Sequence, residues 1–158
     1  MSIGSWVLVV AVAGALSFGL FRVLTDGRFR GTHRVAGADV AEGLVDEPQE
    51  AAPSPSVLEG TPWAGDLGDR ATLLQFSSAF CAPCRATRRV LGDVATTLPG
   101  VTHLEVDAEH HLDVVRRLGI LRTPTTLVLD ASGTEVTRAA GAPTRQQVLA
   151  AVERALPA

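Results

Sequence analysis

The sequence predicts an α/β fold: a mixed central sheet built in the order β-α-β-α-β-β-α with helices on both faces, preceded by one N-terminal transmembrane helix. Three observations carry that expectation. The first 21 residues include an uncharged apolar run. The last hundred or so alternate short apolar strands with amphipathic helices. The two cysteines of the chain stand three apart, Cys81 and Cys84, where a strand pattern gives way to a helix pattern.

Ile3 to Phe21, IGSWVLVVAVAGALSFGLF, carries no charge. Roughly 19 residues at 1.5 Å each cross a hydrocarbon core of about 30 Å, and Trp6 suits an interfacial anchor. Cleaved signal peptides open on a basic region, and Met1-Ser2 supplies none. An Ala-x-Ala pattern (Ala13-Gly14-Ala15) lies inside the apolar run. An uncleaved anchor over 1–24 is the expectation. Arg22, Arg28, Arg30 and Arg34 follow the span against one Asp26. The positive-inside rule then puts the rest of the chain in the cytoplasm, with the extracytoplasmic face as the alternative.

Residues 25–56 show no period. They pass from basic (Arg28, Arg30, Arg34) to acidic (Glu42, Asp46, Glu47, Glu50) and end in Ala-Ala-Pro-Ser-Pro-Ser, the composition of a flexible tether. Residues 57–158 are expected to form one domain, about 100 residues being enough for a single core. Trp63 falls in its lead-in loop, expected to pack on the sheet. Ala71–Ser77 is the first clear strand. A helix follows over 83–98, with Val90, Leu91, Val94, Ala95 and Leu98 on one face, closed by Pro99-Gly100. Val101–Asp107 alternates as a strand does. A helix is expected over 109–118, with Leu112, Val115 and Leu118 inward and Gly119 as its C-cap. Thr125–Asp130 is the most apolar strand and so the central one. A turn, Ala131-Ser132-Gly133-Thr134, leads into a hairpin partner at 135–140. Thr144 and Gln147 read as a capping box opening a last helix, with Val148, Leu149, Val152 and Leu156 inward. The first β-α-β unit requires two parallel strands.

The balance of charge, 14 basic against 17 acidic residues, gives no basic excess and no basic–aromatic interleaving, so no nucleic-acid partner is expected. The chemistry lies in the cysteine pair. Cys81 falls at the start of the helix, where free N–H groups and partial positive charge favour a thiolate. Pro83 fits the first turn, where its missing N–H is not needed. Cys84, one turn in, is within reach of Cys81 to close a disulfide, one thiol attacking and the other resolving. A half zinc site is the bland rival. A closed site wants four ligands, and His33, His103, His110 and His111 lack the spacing to complete one. Two buried structural thiols are the other. Placement after a strand favours redox chemistry, with no metal or cofactor expected. Arg85, Arg88 and Arg89 follow on the same helix, as further support for a thiolate or as a solvated face.

These marks together resemble the thioredoxin family over residues 57–158. They are Leu73-Leu74-Gln75-Phe76, Cys81-Ala82-Pro83-Cys84, Val106-Asp107, Leu118-Gly119-Ile120-Leu121-Arg122-Thr123-Pro124-Thr125, and Gly141 after the hairpin. The resemblance implies a thioredoxin-like fold and a thiol–disulfide oxidoreductase. It implies Cys81 as the nucleophile, Cys84 as the resolving thiol, and a cis Pro124 with Thr123 facing the cysteines. The Thr123 backbone would pair with an extended substrate segment. Disulfide-containing proteins are the implied substrates, and a thioredoxin reductase or other thiol donor the implied electron source. An extracytoplasmic role in cytochrome maturation or oxidative folding, and a non-catalytic adaptor, are the alternatives. Three positions depart from the family. Phe80 stands where Trp is usual, keeping an aromatic cover. Ala82 stands where many members have Gly. Gln75 stands in place of a buried Asp that helps the resolving cysteine lose its proton, and an amide is no base. The dipeptide between the cysteines tunes a potential that spans about −270 to −120 mV across the superfamily.

Overall fold

A computed structural model describes residues 3–25, 27–31 and 55–156. Helix α1 spans Ile3–Thr25. Its 18-residue window Gly4–Phe21 has mean hydropathy 2.0 and none of it is buried. It is long and apolar enough to cross a membrane, a test that a signal sequence also passes. Most of the stretch expected to be a tether lies outside the described residues, but Phe29–Gly31 within it forms a short strand, β1.

The sheet also contains β2 (Ala71–Ser77), β3 (Val101–Asp107), β4 (Thr125–Asp130) and β5 (Glu135–Ala140). The strand order is β1-β5-β4-β2-β3, so β4 is central. β2 and β3 run parallel, with Leu73 opposite His103 and Gln75 opposite Glu105. β2–β4, β4–β5 and β1–β5 are antiparallel. β1 escaped the sequence because three residues, Phe-Arg-Gly, carry no alternation. They are held by pairing with Thr137–Ala139, a tertiary partner that no local pattern announces.

Seven successive buried residues make up β2, because both faces of the sheet are covered. On one face, Leu73, Val101 and Val128 pack with Leu91 and Val94 of α2 (Ala82–Thr97) and Val148 and Val152 of α4 (Arg145–Ala155). On the other, Leu74, Phe76 and Leu127 pack with Val114 and Leu118 and with Leu58 and Trp63 of the lead-in loop. Fully burying a Leu or Phe contributes about 1.5–3 kcal/mol against leaving it in water. These two layers therefore drive the assembly that aims the cysteine loop.

Helix α3 is shorter than its sequence pattern, Leu112–Arg117. Asp107 accepts the Glu109 N–H across 2.8 Å, a local turn that occupies the residues where a first helical turn would begin. In consequence Leu112 is half-exposed rather than inward, and Val114 is buried with Leu118. Trp63 meets His111, the residue preceding α3, edge to face at 4.6 Å. The capping box of α4 is present, with Thr144 and Gln147 bonding each other's backbone. In α4, Ala151 and Ala155 line the buried face with Val148 and Val152, while Leu149 and Leu156 are only partly buried. The β4–β5 turn is tied by the Asp130 carboxylate, which accepts from the Ser132 and Thr134 N–H groups.

Candidate functional site: a dithiol centre at a strand-to-helix junction

β2 delivers the chain to the surface at Ser77, and α2 starts five residues later. Cys81 is the N-cap of α2, in an extended conformation. Pro83 occupies the first turn without leaving a carbonyl unserved. Cys81 and Cys84 form a disulfide, with Cα atoms 5.2 Å apart. The Cys84 N–H donates to the Cys81 sulfur at 3.1 Å and lies at a similar distance from the Cys81 carbonyl. A thiolate at this sulfur would therefore meet an N–H already directed at it. Cys81 is partly exposed, whereas Cys84 is 2 % exposed.

The Thr123–Pro124 peptide is cis. The Thr123 hydroxyl shares a hydrogen bond of 3.0 Å with that of Ser78, which ties the proline loop to the segment leading into the cysteines. Gly141 donates to the Pro124 carbonyl at 2.7 Å from a backbone with φ of 101°, a conformation that suits glycine. Phe80 is fully exposed. Among the described residues none covers its ring, so the aromatic cover expected from its position is not formed there. Leu121, also beside the proline loop in sequence, is 96 % exposed.

Beneath the disulfide lies a polar group of side chains that the sequence did not assemble. Gln75 is fully buried. Its amide nitrogen donates to the Cys84 carbonyl at 3.1 Å, and its amide oxygen lies 3.2 Å from His103 Nε2. The Cys84 carbonyl only accepts, which sets the amide's orientation. The amide oxygen also only accepts, so the proton on neutral His103 is assigned to Nε2. Burial pulls the His103 pKa down, as does Arg88, against an upward pull from Glu105, and the net direction is down. Burial pushes the Glu105 carboxyl up, but hydrogen bonds from Arg88 and Ser77 and the neighbouring cationic side chains outweigh it and hold it low. Arg88 bonds Glu105 at 2.6 Å, and that bond raises the guanidinium pKa. Arg88 is thus engaged with β3, while Arg85 and Arg89 face solvent. His103 stood unassigned in the sequence. The signal that finds it is register: parallel pairing sets residues of one parity on β2 and β3 on one face, and Gln75 and His103 share it.

A disulfide-forming cysteine pair at a helix start, one partly exposed and one buried, on a mixed sheet with a cis-proline loop, defines a thiol–disulfide oxidoreductase of thioredoxin-like fold. The chain belongs to the thioredoxin family, whose family model (Thioredoxin) matches residues 57–154. Thioredoxin H-type 1 of Nicotiana tabacum is 31% identical over 86 residues, 54% of this chain and 68% of that protein. The human thioredoxin domain-containing protein 2 is 35% identical over 60 residues, 38% of this chain but 11% of that protein, so the likeness reaches only a small part of it. Among solved structures, thioredoxin NaTrxh from Nicotiana alata superposes with a TM-score of 0.53 at 20% identity, covering 68% of this chain and 99% of that one. At that identity the superposition speaks for the fold.

Proposed function

We propose that this protein is a membrane-tethered oxidoreductase that reduces disulfides in protein substrates. The observation that carries the reading is the asymmetry of the cysteine pair: Cys81 partly open at a helix start, Cys84 buried behind it with its N–H on the Cys81 sulfur. In the reduced state the Cys81 thiolate attacks one sulfur of a substrate disulfide. A Cys81–substrate disulfide forms, and the other substrate sulfur leaves as a thiolate. Cys84, as thiolate, then attacks the Cys81 sulfur, which closes the Cys81–Cys84 disulfide and releases the second substrate thiolate. Two electrons pass to the substrate, and a thioredoxin reductase or other thiol donor restores the dithiol.

Thr123, beside the cis peptide and bonded to Ser78, offers its backbone to an extended substrate segment in the manner of strand addition. Fully exposed Phe80 and the buried cis Pro124 border that approach. Helix α1 serves as the anchor, supported by its length and by the uncharged, unburied window Gly4–Phe21. The arginine-rich flank after it favours a cytoplasmic domain. The test uses the full chain in detergent with dithiothreitol as electron source and insulin as substrate. Insulin precipitation faster than dithiothreitol alone is expected; a rate equal to background overturns the proposal.

A further inference from the structure

Gln75 and His103 form a hydrogen-bonded chain that ends on the backbone of Cys84, and nothing in the dithiol exchange itself uses it. The chain is continuous: Cys84 carbonyl to Gln75 amide nitrogen at 3.1 Å, Gln75 amide oxygen to His103 Nε2 at 3.2 Å. It is polar in an otherwise apolar layer, directly under α2. Thr126, opposite Gln75 across β2–β4, and Thr87, one turn beyond Cys84, each bury a hydroxyl with no hydrogen-bond partner. Buried polar atoms are costly unless they serve one another or a function. A core whose only task was packing would place apolar side chains here.

We propose that His103 is a positioning residue of the redox centre, coupled through Gln75 to Cys84, so that its proton and the redox state of the cysteine pair influence each other. The inference rests on the oxidoreductase reading of Cys81 and Cys84. Protonating His103 adds a charge without breaking the chain, because Nε2 donates to Gln75 in both forms. The imidazolium then polarises the Gln75 amide toward the Cys84 carbonyl and favours negative charge on sulfur nearby. By reciprocity, a thiolate in the reduced protein favours the proton on His103. The charged groups facing His103 are Glu105, two residues on in β3, and Arg88 from α2, and these are paired with each other. The same face of the neighbouring β2 carries Ala71, Leu73, Gln75 and Ser77, none of them charged. The pair leaves little net field to mask a change at the cysteines.

The test is a pH titration of the His103 ring signals by NMR in labelled full-length protein in detergent, oxidised and then reduced. The His103 midpoint is expected to lie higher in the reduced form by about half a pH unit or more. Coincident midpoints in a protein whose disulfide reduces and re-forms would overturn the coupling while leaving the oxidoreductase reading intact. A disulfide that does not reduce reversibly would instead overturn that reading, and the coupling with it. Gln75→Met, close in size and apolar, is expected to abolish the difference between the two midpoints. A folded Gln75→Met protein that keeps the full difference would rule out the route through Gln75. The wild-type titration stands by itself should that variant fail to fold.

Discussion

The backbone N–H of Cys84 points at the sulfur of Cys81 across 3.1 Å. The buried cysteine thereby supports its partner before any substrate arrives. This bond comes from the backbone, so replacing the Cys84 side chain leaves the donor in place. Cys84→Ser should therefore retain an attacking Cys81 and lose the second step. We expect it to accumulate a mixed disulfide with substrate through Cys81, seen as a dithiothreitol-sensitive adduct on non-reducing gels and located by mass spectrometry. Cys81→Ser should form none under the same conditions. An adduct carried by Cys84 in the wild type or in Cys81→Ser would reverse the roles.

The layer that holds α2 over the sheet sets the aim of that N–H. Leu73 and Leu91 are both fully buried there, one from β2 and one from α2. Replacing either with Ala removes buried methyl groups and leaves a cavity. The expected loss is about 2–5 kcal/mol of unfolding free energy, read as a lower denaturant midpoint. An exposed control such as Arg89→Ala should change stability by about 0.5 kcal/mol or less.

Stability should also fall with acid in two stages. Burial holds His103 below its ordinary range, so the unfolded chain takes up a proton first as pH drops. The His103 contribution is complete above about pH 6.5 and is lost as pH falls from there toward the folded-state midpoint. Glu105 is also held low in the folded state, the Arg88 and Ser77 bonds outweighing burial. Its contribution is present above the ordinary carboxylate range and is lost as pH falls through the lowered value. Urea midpoints measured from about pH 7.5 down to about pH 5 should decline, and His103→Gln should flatten that upper stage. A His103→Gln protein with an unchanged slope would refute the assignment.

For the proposed anchor, the side of the membrane on which the domain lies is read by topology reporters at the C-terminus, one active only in the cytoplasm and one only outside. The arginine flank predicts activity from the cytoplasmic reporter. Activity from the outer reporter alone would instead place the dithiol with extracytoplasmic disulfide chemistry.

Much of this site is legible in one dimension because its parts are local. Cys81, Pro83 and Cys84 lie within one helical turn, and a helix start has the same electrostatics in any fold. Strands β2 to β5 announce themselves by apolar alternation or runs, and the α4 capping box is a four-residue signal. Where local signals compete, the reading slips. The Asp107 turn displaces the start of α3, and Leu112 loses its inward place. Phe80, placed by sequence as a cover, stands exposed because no described element packs across it.

From its sequence alone, this protein has an apolar N-terminal helix, an α/β domain, and a pair of thiols at a strand-to-helix junction, because period, composition and helix-end chemistry act within a few residues. Tertiary structure alone decided that Phe29–Gly31 joins the sheet, that Thr123 bonds Ser78 across 45 positions, and that Gln75 links His103 to Cys84. Those relationships depend on strand register and sheet order, which bring together residues whose separation along the chain carries no signal of their contact.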